Sequence, residues 1–168
     1  VNFHHDDHNH PYMTQTSGIS NGSFEISRTN ETSTNVFYRI HLRVSDSQGL
    51  SHERYRDIYP NIAQITVQTN PVGLQIRVDG QTFTAPYTFE GVVGTTRTIS
   101  TITPQVTGTT SHNFTSWSNG GALSHTVNVP AANATYTANF APSSTSNART
   151  GTGFVRGVFT TPTASWRD

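Results

Sequence analysis

The chain has 168 residues and a formal net charge of zero at pH 7, with 32% hydrophobic residues, 12% charged residues and no cysteine. The absence of cysteine excludes a disulfide framework and a thiolate metal site, and the neutral balance offers no basic excess to attract nucleic acid or an anionic membrane. No apolar run approaches the roughly 20 residues that a membrane-spanning helix needs.

The first half of the chain is predicted to contain one long β-hairpin. Apolar side chains alternate with polar or aromatic ones throughout residues 35–45, which is the period of a half-buried strand. A turn at residues 46–49 leads into residues 50–59, which return as a second strand with an Arg-rich face. A further short strand is predicted at residues 24–26, and Pro60 with Asn61 marks a domain boundary.

The second half reads as a compact set of short strands. Runs of alternating apolar residues recur from residue 62 to residue 140, and turn sequences such as Asp79-Gly80 separate one run from the next. About seven strands with turns roughly every 8–12 residues are typical of an antiparallel sandwich. The composition supports strands over helices, because threonine is abundant and favours pleated structure. The predicted class is therefore all-β.

The end of the chain is predicted to be a linker with an extra strand. Residues 142–152 are rich in Ser, Thr and Gly, whereas residues 153–161 regain apolar character through Phe154, Val155, Val158 and Phe159. One interpretation is that this apolar segment adds as a strand to a sheet edge, in the same chain or in a neighbouring copy. The other is that it begins a further domain.

Specific segments resemble known families. The run VSDSQG at residues 44–49, between two strands, resembles the last hairpin of a PKD-type immunoglobulin-like domain. Residues 62–140, with PVGL at residues 71–74, VDG at residues 78–80, FTSWSNGG at residues 114–121 and YTANF at residues 136–140, resemble a β module found in large secreted bacterial proteins. Together with FHHDDHNHP at residues 3–11, they resemble the C-terminal accessory region of secreted quinone-dependent glucose/sorbosone dehydrogenases.

The resemblance implies two small antiparallel immunoglobulin-like β-sandwich modules in tandem. Residues 1–60 would form a partial immunoglobulin-like domain and residues 61–141 a small sandwich, in a protein secreted by a bacterium or held on its surface. In that family, catalysis resides in a β-propeller that this chain does not contain, so no catalytic residue is carried over. The chain opens within an apparent strand at residues 1–3, which leads us to expect a piece of a longer protein. The incomplete first sandwich would be completed by the C-terminal segment or by a neighbouring subunit.

The N-terminal tract is the candidate metal site. On one continuous strand, alternate residues share a face, which would bring together His4, Asp6, His8 and His10. Imidazole and carboxylate ligands suit Zn²⁺, Cu²⁺ or Ni²⁺, and carboxylates helped by backbone carbonyls suit Ca²⁺. The alternative is a polar segment that hydrogen-bonds neighbouring loops.

Two further candidates concern ligand binding. Trp117 and Tyr87, with Phe89 and Trp166, could stack on sugar rings, although the interpretation that the sequence favours for Trp117 is a core residue. An Arg-rich face could bind an acidic glycan, or could be a solvated sheet face whose arginines pair with Glu53 and Asp57. Its arginines are Arg39, Arg43, Arg54 and Arg56.

These features predict a non-catalytic, extracellular accessory, spacer or adhesion module, with weak carbohydrate binding as its candidate activity. No nucleophile, base and oxyanion set of a hydrolase stands in recognisable order, so we do not expect an enzyme. The expected partners are the rest of a parent polypeptide or neighbouring copies. The alternatives are a self-assembling subunit that exchanges strands and a metal-binding site at the N-terminal tract.

Overall fold

The computed structural model describes residues 1–29 and 31–143, and these residues form strands, turns and loops without a helix. The all-β class predicted from the sequence is confirmed. No helix long and apolar enough to cross a membrane occurs in this part of the chain. In chain order the strands are β1 Asn2–His5, β2 His8–Pro11, β3 Val36–Ser45, β4 Ser51–Ile58, β5 Ile62–Asn70, β6 Gln75–Val78, β7 Gln81–Thr84, β8 Tyr87–Val92, β9 Thr96–Thr101, β10 Gln105–Thr107, β11 Thr110–Trp117, β12 Ser124–Asn128 and β13 Ala134–Ser143.

The N-terminal unit is a four-stranded antiparallel sheet in the order β2-β1-β3-β4. Strands β3 and β4 form the predicted long hairpin, which pairs from Tyr38 opposite Ile58 to Ser45 opposite Ser51. The Asp46 carboxylate accepts hydrogen bonds from the backbone N–H groups of Gln48 and Leu50, both at 2.9 Å, and so fixes the turn. The alternation of residues 35–45 therefore specified the strand and its faces, and the turn at Asp46 fixed the register.

The segment between β2 and β3 contains no strand among its described residues, so the short strand predicted at residues 24–26 is wrong. The Tyr12 hydroxyl donates to the Glu25 carbonyl at 2.5 Å and accepts from the Ser27 N–H at 3.2 Å. These contacts take the place of a strand ladder, and they hold Phe24 against Tyr38 with ring centroids 5.5 Å apart. An irregular segment, in place of a second sheet, thus covers the part of one face of the N-terminal sheet around Tyr38.

The C-terminal unit is a sandwich of two sheets. One has the order β10-β11-β13-β5-β8 and the other the order β12-β9-β6-β7. Alternate residues of the strands point between the sheets, and Ile65, Ile76 and Ile99 are fully buried there. The alternating apolar residues of this half of the chain therefore form a packed interior.

One strand pair departs from the antiparallel prediction. Strand β13 runs parallel to β5, with partners from Ala134 opposite Ile65 to Asn139 opposite Asn70. Parallel neighbours need a long connection, and here strands β6 to β12 lie between β5 and β13 in the sequence. The first and last strands of the module are consequently neighbours in the middle of its larger sheet.

Candidate functional site

The register of the N-terminal sheet assigns its side chains to two faces. Residues directly opposite each other in neighbouring strands lie on the same face, so Tyr38 shares a face with Phe3 and Ile58. We call this the inner face, because Tyr12 and Phe24 pack against part of it. The other is the outer face, and its side chains include those of His4, Phe37, Arg39, His41, Arg43, Glu53, Tyr55 and Asp57.

An ion pair at the centre of the outer face holds a guanidinium group against an aromatic ring. Arg39 donates from Nε and from one terminal nitrogen to the two carboxylate oxygens of Asp57, each at 2.8 Å. The guanidinium carbon lies 4.1 Å from the Tyr55 ring centroid and 5.5 Å from that of Phe37. This two-pronged geometry fixes the plane of the guanidinium, which strengthens its contact with the ring.

The row of planar groups continues along the sheet. The Phe37 ring stacks on His4 at 4.2 Å with an interplanar angle of 7°, and it packs against Tyr59 at 5.1 Å. Tyr55 and Tyr59 remain 61% and 68% exposed. We call this row the aromatic strip, and its members are His4, Phe37, Arg39, Tyr55 and Tyr59.

The charges on the outer face are nearly balanced. Hydrogen bonds from Arg39 lower the pKa of the Asp57 carboxyl, so Asp57 is ionised at neutral pH and offsets the guanidinium. Next along the hairpin, His41 Nδ1 lies 2.6 Å from a Glu53 carboxylate oxygen, and Arg43 is the direct cross-strand neighbour of Glu53. The face therefore presents polar groups without a surplus of either charge.

The Arg-rich face predicted from the sequence divides into two. Arg39 and Arg43 lie on the outer face, whereas Arg54 and Arg56 lie on the inner face, opposite Leu42 and Ile40. Grouping the four arginines was wrong, because positions of even and odd number along one strand point to opposite sides of the sheet. The interpretation that arginines of this face pair with acidic residues across the strands is confirmed for Asp57, whose partner is Arg39.

The N-terminal tract is a tight hairpin and not one continuous strand. Asp6, with a φ of 50°, begins the turn, and His5 lies opposite His8 on the inner-face side while His4 lies on the outer face. The expectation that His4, Asp6, His8 and His10 share a face is therefore wrong. Asp6 accepts a hydrogen bond from the Ser33 hydroxyl at 2.8 Å. No cluster of three or more His, Asp or Glu side chains within residues 1–29 and 31–143 is arranged to hold a metal ion.

The structure places Trp117 in the sandwich core, which is the interpretation that the sequence favoured. Its side chain is 2% exposed, and its indole N–H donates to the Leu123 carbonyl at 3.3 Å. Tyr87 is half-buried and stacks on Phe83 with ring centroids 3.7 Å apart. Phe89 lies beneath the Arg97 guanidinium at 4.4 Å. Trp166 lies outside the described residues. Because Trp117 is buried, the three described aromatic side chains do not form one exposed ligand platform.

A cleft of about 1020 Å³ separates the covered part of the inner face from the turn between β8 and β9. Its walls include Phe3, Tyr12, Phe24 and Tyr38. Burial, together with a hydrogen bond involving Tyr12, raises the pKa of the Tyr38 hydroxyl well above its ordinary value. The walls of the cleft also include Glu25, Arg28 and Glu31, and the Tyr12 hydroxyl is already bonded to the Glu25 carbonyl.

The sequence reasoning missed the aromatic members of the outer face. Phe37, Tyr55 and Tyr59 all occupy odd-numbered positions, and the register of the predicted hairpin was enough to place Phe37 and Tyr55 beside Arg39.

The comparison of the chain with protein-family models, with curated proteins and with solved structures finds no match in any of the three.

Proposed function

We propose that the protein is a non-catalytic extracellular accessory module that contacts a neutral polysaccharide through the outer face of its N-terminal sheet. The observation that carries this proposal is the aromatic strip, where Tyr55 and Tyr59 remain exposed beside a fixed guanidinium group. The extracellular location rests on the sequence resemblance to secreted bacterial proteins.

The chemistry of the strip matches that of a sugar ring. A pyranose has an apolar C–H face, which packs on aromatic rings, and a rim of hydroxyl groups, which exchange hydrogen bonds with charged planar side chains. Tyr55 and Tyr59 supply the rings, and Arg39 and Asp57 supply donors and acceptors that are already held in position by each other. Preorganised side chains lose little conformational entropy when a ligand binds, which favours affinity.

The charge balance selects the class of polysaccharide. Arg54 and Arg56 lie on the inner face. On the outer face, Arg39 lies opposite Asp57 and Arg43 lies opposite Glu53. An acidic glycan would meet these carboxylates as well as the cations, so it gains little net attraction. A neutral chain has no such conflict, and we therefore replace the acidic glycan considered from the sequence with a neutral one.

The test is retention of the full chain in native gels that contain a soluble neutral β-glucan, a neutral α-glucan or acidic alginate. We expect retardation by a neutral glucan and none by alginate. Tyr55→Ala/Tyr59→Ala should raise the dissociation constant by about tenfold or more, which corresponds to a loss of about 1.4 kcal/mol in binding free energy. Unchanged retardation of this variant would overturn the assignment to the strip, and absence of retardation of the wild type in every neutral glucan would overturn the proposal.

The matched control removes exposed apolar surface elsewhere. Leu50→Ala/Val106→Ala truncates two exposed side chains that lie outside the strip, one in the hairpin turn and one in the sandwich. We expect its retardation to equal that of the wild type. Circular dichroism should give the same strand content for both variants, because none of the four side chains is buried.

A further inference from the structure

Strand β3 extends beyond the end of its neighbour β1. Strand β1 pairs only with residues 36–39 of β3, whereas β4 pairs with β3 as far as Ser45. Within residues 1–29 and 31–143, no strand lies beside the β1 edge of residues 40–45. The backbone N–H and C=O groups of this edge are therefore open to pairing with an additional strand.

The same segment exposes an apolar stripe. Leu42 and Val44 are 62% and 56% exposed on the inner face, and Ile40 continues their row. Proteins usually protect an open edge with charged side chains, prolines or a covering segment. The stripe itself holds no charged residue or proline, although Arg54 and Arg56 of β4 lie beside it and Tyr12 and Phe24 cover the neighbouring Tyr38.

The chain itself contains a segment of suitable chemistry. Residues 153–161, GFVRGVFTT, hold four apolar side chains and follow a polar stretch, residues 143–152. The segment lies outside the described residues. Its length exceeds the six positions of the open edge, and Phe and Val are favoured in strands.

The last described strand ends far from the start of the sandwich. Ser143 lies 12 positions along the sheet from the level of Ile62, because Ala134 is level with Ile65. At about 3.3 Å per residue this distance is about 40 Å. The C-terminal segment therefore begins at the end of the sandwich opposite to the one that continues into the N-terminal sheet, which suits contact with a second copy.

We propose that residues 153–161 of one copy add as a strand to the open edge, residues 40–45 of β3, in a second copy. The apolar side chains of the added strand then cover Leu42 and Val44. Each copy has one donor segment and one acceptor edge on different parts of its surface, so the contact is heterologous and links copies head to tail. The outer face is not used, and the inference is independent of the proposed polysaccharide contact.

The experiment uses two full-length variants, each disabled at one partner. Leu42→Asp/Val44→Asp places charges on the acceptor stripe. Val155→Pro/Val158→Pro removes an N–H at one odd and one even position of the donor, so that one proline disrupts the ladder whichever set of N–H groups faces the edge. By sedimentation velocity we expect the wild type to form a concentration-dependent series of assemblies and each variant alone to be a monomer.

Mixing the two variants is the decisive step. One variant retains an intact donor and the other an intact acceptor, so the mixture should form a heterodimer with one copy of each and nothing larger. Hydrogen exchange in the mixture should show slower exchange of amides within residues 40–45 of the chain that keeps its acceptor. A monomeric wild type, a mixture without heterodimer, or self-association of the proline variant through paired β3 edges would each overturn the proposal.

A control separates the stripe from the general effect of added charge. Val72→Asp/Val106→Asp introduces the same charges at exposed positions of the sandwich. This variant should assemble like the wild type. If it is also monomeric, the loss of assembly in the acceptor variant reflects net charge, and the assignment of the acceptor edge is wrong.

Discussion

The two units of this protein share one sequence pattern and stabilise it in different ways. In the sandwich, alternating apolar residues from two sheets meet, and Ile65, Ile76 and Ile99 are excluded from solvent. In the N-terminal sheet the same alternation leaves Leu42 and Val44 exposed at the far end of the hairpin. Alternation thus specifies a strand and its two faces, whereas a second layer must come from elsewhere in the chain.

Their ion pairs do not differ in this way. In the sandwich, 9% of the Arg97 side chain and 29% of the Asp79 side chain are exposed, and in the N-terminal sheet the values are 27% for Arg39 and 18% for Asp57. Both pairs are partly exposed, so we expect a modest contribution to folding from each. The difference between the units therefore lies in their apolar packing.

The largest difference between the units should appear on truncation of an aromatic side chain. Trp117→Ala removes a buried indole and one of the two hydrogen bonds that the Leu123 carbonyl accepts, and we expect a loss of about 3–5 kcal/mol in the free energy of unfolding. Tyr55→Ala removes an exposed ring and should change that free energy by less than about 0.5 kcal/mol. Urea unfolding followed by circular dichroism measures both, and similar losses for the two variants would contradict the contrast.

The close packing of the sandwich can be tested at Gly91. A Cβ atom added there would lie 2.8 Å from Cγ2 of Val129, so Gly91→Ala should destabilise the protein by about 1–3 kcal/mol. Val129→Ala removes that methyl group, and in the double variant the alanine should cost clearly less than it does in the wild type. A double-mutant cycle from urea midpoints measures this coupling, and purely additive losses would mean that the two sites do not compete for space.

Acid should weaken the N-terminal sheet before the sandwich. Because hydrogen bonds from Arg39 lower the pKa of Asp57 in the folded protein, their stabilising effect is complete above the ordinary carboxyl value of 3.8. It is then lost as the pH falls through the lower folded value. NMR intensities of β3 and β4 amides should therefore decline at higher pH than those of β9.

Asp57→Asn provides the control for this acid effect. The amide cannot ionise, so the β3 and β4 signals of this variant should lose the part of their acid dependence that Asp57 supplies. The effect should be modest, because the pair is partly exposed to solvent. If the variant declined at the same pH as the wild type, another group would be responsible for the acid sensitivity.

The smallest expected effect concerns alkaline titration of Tyr38. Burial raises the pKa of its hydroxyl, so the folded protein keeps this proton while an unfolded chain loses it near pH 10. Stability contributed by the neutral form therefore declines as the pH rises above that value. Absorbance at about 295 nm, where ionised tyrosine absorbs, should show one late-titrating tyrosine that is absent in Tyr38→Phe. An unchanged late step in the variant would assign it to another tyrosine.

The local pairing in this fold was predictable from the sequence, because it depends on neighbouring residues. The alternation in β3 and the turn at Asp46 fixed the hairpin and hence the cross-strand neighbours of Arg39. The same reasoning, applied strictly, separates Arg54 and Arg56 from Glu53 and Asp57. The prediction that all four arginines share a face was wrong because side chains change sides at every residue of a strand, and the alternation alone assigns them to two faces.

Other features depend on contacts that no local pattern carries. The parallel pairing of β13 with β5 joins residues about 70 positions apart and is decided by how the intervening strands divide between two sheets. The turn at Asp6 reverses the N-terminal tract within a run of histidines and aspartates, whose composition suits a strand as well as a turn. The exposure of Tyr55 follows from the absence of a covering layer among the described residues, which alternation cannot predict.

The parallel neighbours β5 and β13 also determine how the sandwich responds to mechanical load. Tension applied through Ile62 and Ser143 pulls the two strands in opposite directions along their own axes, so the hydrogen bonds of the six paired positions are strained together in shear. The β3–β4 hairpin has the opposite geometry, because Val36 and Ile58 lie at the same end and tension between them opens the ladder one bond at a time. Under a stretching force, the sandwich should remain intact after the hairpin has opened.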